Sequence, residues 1–187
     1  EGTSKISNKE IASQMQVSPP AVSEMLKKMI HENWIAKEKS KGYIVTEKGM
    51  AIVSKLYRKH RLIELFLIKE LGYTSKDVHE EAEILEHSVS DKFIDRLEKK
   101  LKFPQYCPHG GTIPRKGEML RERYTNKLSD QSELGQYCLK RSYDQLNLLN
   151  YLEDSGLQLS DVFENNKIDD YTQTMTITTK NTSLLLP

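Results

Sequence analysis

ISNKEIASQMQVSPPAVSEMLKKMIHENWI, residues 6–35, contains two helical patterns separated by a short polar break. Ser7 is placed to cap the first helix, and Glu10 three residues later completes a capping box. Ser18, followed by Pro19 in the first helical turn, is placed to cap the second helix. The stretch therefore predicts two short helices joined by a tight turn, the helix-turn-helix arrangement that fits the major groove of DNA.

The second of these helices has one apolar side and one polar, basic side. Four apolar residues recur at helical spacing on the inward side: Val22, Met25, Leu26 and Met29. The expected DNA contacts open the helix or lie on its polar side: Ser18, Pro19, Pro20, Ser23, Lys27 and Lys28. We expect the residues at the helix start to reach base edges and the lysines to contact phosphates, which adds affinity but little sequence information.

A β-hairpin is predicted directly after the second helix, in WIAKEKSKGYIVTEKG at residues 34–49. Residues alternate with a period of two around the turn SKG, with Ile35, Lys37 and Lys39 before it and Tyr43, Val45 and Glu47 after it. Lys39 and Lys41 are expected to contact DNA phosphates, like the wing of a winged helix. The alternative is a small helical domain without a nucleic-acid role. The cap, the basic face and the hairpin together favour DNA binding.

The net charge of +1 conceals an uneven distribution along the chain. Residues 1–60 hold 11 Lys and Arg against 6 Asp and Glu, a net charge of +5. The remaining residues hold 17 against 21, a net charge of −4. A basic start followed by an acidic remainder indicates a polyanionic partner at one end and cations at the other.

Composition narrows the class of protein. Of the 187 residues, 29% are charged and 37% apolar, as is usual for a globular chain. The apolar run LIELFLI at 62–68 is too short to span a bilayer, and EGTSKISNKE at the start lacks the pattern of a secretory signal. Two cysteines, Cys107 and Cys138, are too few for a disulfide framework. These features predict a cytoplasmic protein with no membrane partner.

A longer helix is predicted downstream of the hairpin, in YRKHRLIELFLIKELG at residues 57–72, with Gly72 as its stop signal. Its apolar residues cover more than one face, which indicates burial against something large, such as a partner subunit. His60 and Glu64 lie one helical turn apart on this helix.

The next helical stretch, SKDVHEEAEILEH at residues 75–87, carries four potential metal ligands on one side: His79, Glu83, Glu86 and His87. Carboxylate and imidazole groups three and four residues apart can converge on one cation. Such a pattern also arises on helix faces that simply contact solvent. On this helix alone, metal binding is the minority interpretation.

A loop with a second set of ligands follows, in FPQYCPHGGTIP at residues 103–114. Cys107 and His109 flank a proline that restricts the backbone, and Gly110 and Gly111 allow a tight turn. A lone Cys-x-His is a weak signal, because zinc motifs usually present paired cysteines. Downstream of a DNA-binding unit and an acidic, histidine-containing helix, the loop makes a metal site the favoured interpretation.

Four stretches in this order resemble the diphtheria-toxin-repressor family of metal-dependent transcriptional regulators: NKEIASQMQVSPPAVSEMLKKM, LYRKHRLIELFL, HEEAEILEHSVSDKFIDRLEK and FPQYCPHGGTIP. The similarity covers nearly the whole chain and is greatest to the manganese-responsive branch of Gram-positive bacteria. It implies a mainly α protein with small β elements. The implied domains are a winged helix-turn-helix at 1–56, a helical metal-binding dimerisation domain at 57–122, and an SH3-like (FeoA-type) β domain at 123–187.

The resemblance also implies a homodimer that binds a double-stranded DNA operator when it holds divalent metal, and that controls genes of metal uptake and homeostasis. Mn²⁺ is the expected metal, with Fe²⁺ and Zn²⁺ as alternatives and Cd²⁺ as a further one in vitro. Iron-specific members have a cysteine where this chain has Glu83, and oxygen and imidazole ligands suit Mn²⁺ better than thiolate does.

The family's metal ligands can be placed on matching positions of this chain. One family site matches Glu83, Glu86 and His87. The second matches Glu64, Cys107, His109 and Asp144, of which Asp144 is lent by the third domain. His60 and His79 match ancillary ligands of more distant relatives.

The chain departs from the family pattern at both ends. A family helix that precedes the helix-turn-helix carries an aspartate ligand to the first site, whereas this chain begins at Glu1, so we expect a truncated start. At the other end, LGQYCLKRSYD, QLNLLNYLEDSGL, SDVFENN and YTQTMTITT predict a strand, a helix and two strands. That order is most of an SH3-like module without its last part.

Two other classes of function stay open on the sequence alone. One is an enzyme with Cys107 as nucleophile and His109 as base, although two groups on one short loop are poorly placed to orient each other. The other is a metal-independent winged-helix DNA-binding regulator in which the acidic helix only faces solvent.

Overall fold

The computed structural model of the chain describes residues 7–39, 42–74, 77–143, 145–169, 171, 174–179 and 183–186. The helices within these residues are α1 (Asn8–Gln14), α2 (Pro19–His31), α3 (Glu47–Leu71), α4 (Val78–Ser88), α5 (Asp91–Lys100) and α6 (Leu146–Asp154), with a short 3₁₀ turn at Leu128–Asp130. The strands are β1 (Ile35–Glu38), β2 (Gly42–Val45), β3 (Gly135–Cys138), β4 (Val162–Asp169), β5 (Thr174–Thr178) and β6 (Ser183–Leu186). The predicted mainly α fold with small β elements is confirmed.

Two compact units make up the chain. The first comprises residues 1–56 and 115–120, and the second comprises residues 57–114 and 121–187. The boundary between them falls within α3, which contributes its first ten residues to the first unit. None of the helices in the described ranges is long and apolar enough to cross a membrane.

The first unit contains the predicted helix-turn-helix, and both predicted caps form. The Ser7 hydroxyl accepts a hydrogen bond from the Glu10 N–H at 3.2 Å, and the Glu10 carboxylate accepts one from the Ser7 N–H at 2.6 Å. The Ser18 hydroxyl caps α2 in the same way. A small core joins both helices to the hairpin, made of Ala12, Val22, Leu26 and Ile35. Met25 was expected on the inward side, but it is 38% exposed and lies outside this core.

The hairpin pairs β1 with β2 in antiparallel register, from Ile35 opposite Val45 to Glu38 opposite Gly42. Glu47 was predicted to be a strand residue. This prediction is wrong, because Glu47 begins α3 instead of extending β2. The Thr46 hydroxyl accepts a hydrogen bond from the Gly49 N–H at 3.1 Å and so caps the start of α3. The helix therefore begins ten residues before the predicted 57–72 segment.

Gly49, in the first turn of α3, lies where a side chain would not fit. A Cβ at this position would lie 2.1 Å from the backbone oxygen of Trp34. Only glycine lets the first turn of α3 pass this close to the Trp34 backbone, which directly precedes β1. The glycine therefore marks a close approach between two backbones.

In the second unit, α3, α4 and α5 enclose the main core. Its buried residues are Leu62, Ile63, Leu65, Leu67, Val78, Ala82, Ile94, Leu97, Cys107 and Ile113. The predicted stop at Gly72 is confirmed, with φ of 73° directly after α3. Arg58 is buried between α3 and α5, where its guanidinium donates to Asp95 at 3.0 Å and to Glu98 at 2.6 Å.

The rest of the second unit is an antiparallel sheet with strand order β3-β4-β5-β6. Its core contains Leu157, Phe163, Met175 and Ile177. The predicted strand, helix, strand, strand order is observed, and β6 adds a fourth strand in the final segment. A connection that begins at residue 139 follows β3, and its residues Lys140 and Ser142 lie beside the loop that carries Cys107 and His109.

Candidate metal centre

Glu64 is the hub of a buried cluster of ligand atoms. Its side chain, on the inward side of α3, is completely buried. One carboxylate oxygen, Oε1, lies 3.2 Å from His60 Nε2, 3.6 Å from His109 Nδ1 and 3.9 Å from His79 Nδ1. Within the described parts of the chain, neither oxygen of Glu64 accepts a hydrogen bond. A buried carboxylate in this condition is costly unless a cation or donor compensates it, so the site fits a bound metal ion.

Two groups of three ligands share Glu64. One is His60, Glu64 and His79, and the other is Glu64, Cys107 and His109; in each, one ligand atom per residue lies within 4.8 Å of the others. The second group is buried throughout, whereas the His79 side chain is 39% exposed. The structure thus brings together five residues that sequence patterns placed on three separate segments. Oxygen, imidazole nitrogen and thiol sulfur are all available to a divalent ion.

The ligand loop has a fixed backbone. The Cys107 N–H donates to the Gly111 oxygen at 2.9 Å, and the Gly110 N–H donates to the Cys107 oxygen at 3.0 Å. Gly110 has φ of 80°, and a Cβ there would lie 2.1 Å from the Lys140 oxygen. The Ser142 N–H donates to the His109 oxygen at 3.0 Å. These contacts seat the loop against the connection that leads towards position 144. Asp144 itself lies outside the described residues.

The Cys107 thiol is held in its protonated form. Burial raises its pKa, and the nearby Glu64 carboxylate raises it further, to about 11. Hydrogen bonds from the backbone of His109 and Gly111 and the charge of Arg61 act in the opposite direction but are weaker. A metal ion that coordinates this sulfur must therefore displace a proton.

Glu83, Glu86 and His87 have different surroundings on α4. Glu86 is buried, and its Oε2 lies 2.9 Å from His60 Nδ1. The imidazole of His87 is 69% exposed and lies 3.4 Å from Glu86 Oε1, while Glu83 is exposed. Among the residues described, these three do not form a compact ligand group of their own. His60 connects the two sets, since its ring contacts Glu64 through one nitrogen and Glu86 through the other.

Comparison with known proteins places this cluster in a family. Residues 46–115 match the family model for the iron-dependent repressor metal-binding and dimerisation domain, and residues 3–42 match the MarR family model. An HTH-type transcriptional regulator of Methanocaldococcus jannaschii is 36% identical over 97 residues, which are 52% of this chain and 78% of that protein. The chain belongs to the diphtheria-toxin (iron-dependent) repressor family.

Solved structures of family members cover the chain almost completely. The manganese-activated repressor ScaR, in its apo form, is 49% identical with a TM-score of 0.94, over 98% of this chain and 88% of ScaR. ScaR has also been solved with Cd²⁺ and with Zn²⁺ bound. The metal-dependent transcriptional regulator MtsR is 52% identical with a TM-score of 0.88, over 98% of this chain and 85% of MtsR. The winged helix, metal-binding domain and C-terminal sheet are thus those of the family.

Membership of this family of transcriptional regulators decides against the enzyme interpretation. The electrostatics of Cys107 agree, because a buried thiol with a raised pKa is a poor nucleophile. The family's metal dependence likewise favours a regulator controlled by divalent metal over a metal-independent one.

The predicted DNA-contact residues of this family member lie in the first unit, and most of them are exposed: Ser18, Pro19, Pro20, Lys27, Lys28 and Lys39. Ser23 is half-buried, and its hydroxyl is already engaged, donating to the Pro19 oxygen at 3.0 Å and accepting from the Asn8 amide at 3.1 Å. Lys41 falls outside the described residues.

Sequence analysis missed a charged cluster beside the ligand loop, formed by Arg61, Thr112, Glu122 and Arg141. Arg61 is 51 residues from Thr112 and 61 from Glu122 along the chain. No short motif connects residues this far apart, and charged side chains near a helix surface normally face solvent. A Cβ at Gly111 would lie 2.6 Å from the Arg61 guanidinium carbon, and this close approach is visible only in the folded chain.

Proposed function

We propose that this chain is a Mn²⁺-activated transcriptional repressor, a homodimer that binds a double-stranded DNA operator of metal uptake and homeostasis genes when its metal sites are filled. The observation that carries the proposal is the buried Glu64 carboxylate, which faces three imidazoles and lies beside the Cys107 thiol. This cluster lies in a chain that also has an exposed, basic recognition helix. The likeness to ScaR, a manganese-activated repressor, supports the choice of metal.

Two sites divide the ligands. Glu64, Cys107 and His109 would hold one ion together with Asp144 from the C-terminal domain, and Glu83, Glu86 and His87 would hold the other. His60 and His79 lie next to Glu64 and would complete or orient its site. The domains concerned are the DNA-binding domain at 1–56, the metal-binding domain at 57–122 and the C-terminal domain at 123–187.

Metal selectivity would come from the difference between the two sites. The thiol of Cys107 makes its site tolerant of Zn²⁺, Fe²⁺ and Cd²⁺, which bind sulfur more readily than Mn²⁺ does. The site with Glu83, Glu86 and His87 offers oxygen and imidazole donors only, which suit Mn²⁺. The preference for Mn²⁺ would therefore depend on this second, sulfur-free site and on the metal available in the cell.

A bound ion supplies a fixed double positive charge towards which ligands from separate segments converge. In this chain those segments are α3, α4, the ligand loop and the connection after β3. Their convergence restricts the motion of the second unit. Two recognition helices of a dimer must lie roughly 34 Å apart, or a multiple of it, to reach successive major grooves. A dimer that is already ordered loses less conformational entropy on binding DNA, so metal and DNA binding reinforce each other.

Operator binding with and without metal tests this function. A duplex would be recovered from a random-sequence pool with saturating Mn²⁺, and its affinity measured by fluorescence anisotropy with Mn²⁺ and with chelator. A coupling of about 1–3 kcal/mol, typical of allosteric regulators, gives a roughly 5–150-fold tighter complex with Mn²⁺. Equal affinity in both conditions would establish a metal-independent DNA-binding regulator instead.

Replacement of Lys27 by alanine should weaken binding to every duplex to a similar extent. Lys27 is exposed on α2 and is expected to contact a phosphate, so its loss should lower the slope of log affinity against log salt by about one. The matched control is Lys100→Ala, which removes an exposed lysine from α5 in the second unit. A change in sequence preference, or an equal effect of both substitutions, would contradict a phosphate contact at Lys27.

Metal binding at the Cys107 site should become tighter as pH rises. The thiol has a pKa of about 11, so it is protonated at neutral pH and loses one proton when metal binds. Below that pKa, each pH unit should therefore raise the affinity by about tenfold. Cd²⁺ titrations between about pH 7 and pH 8 measure this slope. An equally steep slope in the Cys107→Ser variant would show that the proton comes from another group.

A further inference from the structure

The base of the ligand loop is closed at Thr112. Tyr106 and Thr112 form an antiparallel bridge, so the residues between them, including Cys107 and His109, form a short closed loop. Every polar group of Thr112 is engaged: its N–H donates to Glu122 Oε2 at 2.9 Å, its hydroxyl accepts from the Arg123 N–H at 3.1 Å, and its carbonyl accepts from Arg61. A shift of Thr112 would therefore shift the whole loop.

Arg61 closes a ring of hydrogen bonds with Thr112 and Glu122. One guanidinium nitrogen donates to the Thr112 carbonyl, and another donates to Glu122 Oε1 at 2.6 Å. Burial raises the pKa of Glu122, but the hydrogen bonds from Thr112 and Arg61 and the charges of Arg61 and Arg141 outweigh it and hold that pKa below its usual value. Glu122 is thus a stable anionic anchor, and Arg61 is the only described member of the ring that lies on α3.

The position of Arg61 on α3 relates the ring to the metal centre. Arg61 lies three residues before Glu64 on α3. One helix therefore carries both the central carboxylate of the ligand cluster and the arginine that binds the ligand loop. Its guanidinium stacks 4.5 Å from the centre of the Tyr57 ring. A Cβ at Gly111 would lie 2.6 Å from the Arg61 guanidinium carbon. The absence of a side chain at Gly111 therefore allows the loop to lie this close to Arg61.

The same cluster reaches the connection that leads to position 144. Arg141 lies 3.3 Å from Glu122 Oε1 and donates to the Tyr124 oxygen at 3.2 Å. Glu122 therefore joins α3, the ligand loop and the connection after β3. These are the three segments that carry the four ligands of the proposed site.

We propose that Arg61 is a positioning residue for the Cys107 metal site: it holds Cys107 and His109 at the correct distance from Glu64 without contacting the metal. The inference rests on the proposed function of that site as a metal centre. Arginine suits the role because its planar guanidinium can donate to the Thr112 carbonyl and the Glu122 carboxylate at once. Lysine keeps the charge but cannot make both contacts in the same geometry. Substitution by lysine thus tests the positioning of the loop while the positive charge at residue 61 is kept.

Arg61→Lys tests the proposal, and Arg58→Lys is its matched control. Arg58 is one turn earlier on the same helix, equally buried, and bound to two carboxylates, but its partners Asp95 and Glu98 lie on α5. The purified full chain would be titrated with Cd²⁺, and the ultraviolet absorption of the cadmium–thiolate bond would report binding at Cys107. Thermal denaturation of the metal-free proteins would measure the loss of stability in each variant.

Arg61→Lys should weaken Cd²⁺ binding roughly 10–100-fold, the range typical of residues that orient metal ligands. Arg58→Lys should change it less than about threefold at a similar loss of thermal stability. Equal weakening in both variants would overturn the proposal and leave Arg61 a structural residue. If Arg61→Lys does not fold, Glu122→Gln removes the same anchor and should weaken binding in the same range.

The same titration separates this proposal from the proposed function. If the unmodified chain gives no cadmium–thiolate absorption, or if Cys107→Ser leaves the absorption unchanged, Cys107 is not a ligand and the metal site itself is refuted. If the absorption depends on Cys107 but Arg61→Lys binds Cd²⁺ as tightly as Arg58→Lys does, the site stands and only the role of Arg61 is refuted.

Discussion

Replacement of Glu64 by glutamine is expected to remove metal binding at Cys107 while leaving the fold intact. Glutamine keeps the shape of the side chain but removes the anionic oxygen that His60, His79 and His109 surround. The cadmium–thiolate absorption should require more than about 100-fold more Cd²⁺, beyond the effect usual for residues outside the ligand set. Because neither carboxylate oxygen accepts a hydrogen bond from the residues that the structure describes, the substitution should change the free energy of unfolding of the metal-free protein by no more than about 1 kcal/mol.

Glu80→Gln is the matched control for this result. It makes the same chemical change on α4, at an exposed carboxylate outside the Glu64 cluster. The cadmium–thiolate titration of this variant should remain within about threefold of the unmodified chain. If Glu64→Gln retained full affinity, or if both variants lost it equally, Glu64 would not be a ligand of the Cys107 site.

Gly110→Ala is expected to have the largest effect on stability. The positive φ of 80° costs about 1–2 kcal/mol for a residue with a Cβ. The new Cβ would also lie 2.1 Å from the Lys140 oxygen, which is a backbone atom and cannot rotate away. To relieve this clash, the loop must move away from the connection after β3. This movement should add about 1–3 kcal/mol to the loss of stability, the range typical of overpacking. Urea denaturation measures the total loss.

Gly72→Ala isolates the conformational part of this loss. Gly72 has a similar φ of 73°, but a Cβ there would meet nothing within 4 Å. Its substitution should therefore cost only the conformational penalty of about 1–2 kcal/mol. An equal loss in both variants would show that the contact between Gly110 and Lys140 does not restrain the loop. A greater loss for Gly110→Ala, together with weaker Cd²⁺ binding, would show that this contact also supports the metal site.

Local chemistry explains which parts of the fold the sequence predicts. The caps at Ser7 and Ser18 and the stop at Gly72 involve residues within a few positions of each other, and all three form as predicted. The predicted start of this helix at residue 57 was wrong, since the local pattern does not show that the Trp34 backbone passes beside Gly49 in the first turn of α3. Residues separated by a few positions carry their own signal, whereas close backbone approaches between distant segments do not.

The candidate site divides in the same way. Spacing along α3 and α4 and the Cys-x-His loop identify potential ligands, but they do not reveal that His79 and His109 both approach one oxygen of Glu64. Sequence analysis assigned Glu86 and Glu64 to separate sites and gave no sign that one imidazole contacts both. The anchor formed by Arg61 and Glu122 left no pattern, because it depends on three segments that meet only in the folded chain.

The shared imidazole of His60 has a consequence for how the chain would respond to rising metal concentration. A rotation of the His60 ring on metal binding at Glu64 would also move the ring nitrogen that faces Glu86. The two sites would therefore not fill independently. Thermodynamic linkage then requires reciprocity: whatever factor the first ion contributes to the affinity of the second, the second contributes to the first. With positive coupling, occupancy would change over a narrower range of metal concentration than two isolated sites allow. Through His60, the repressor would thus respond to metal above a threshold concentration.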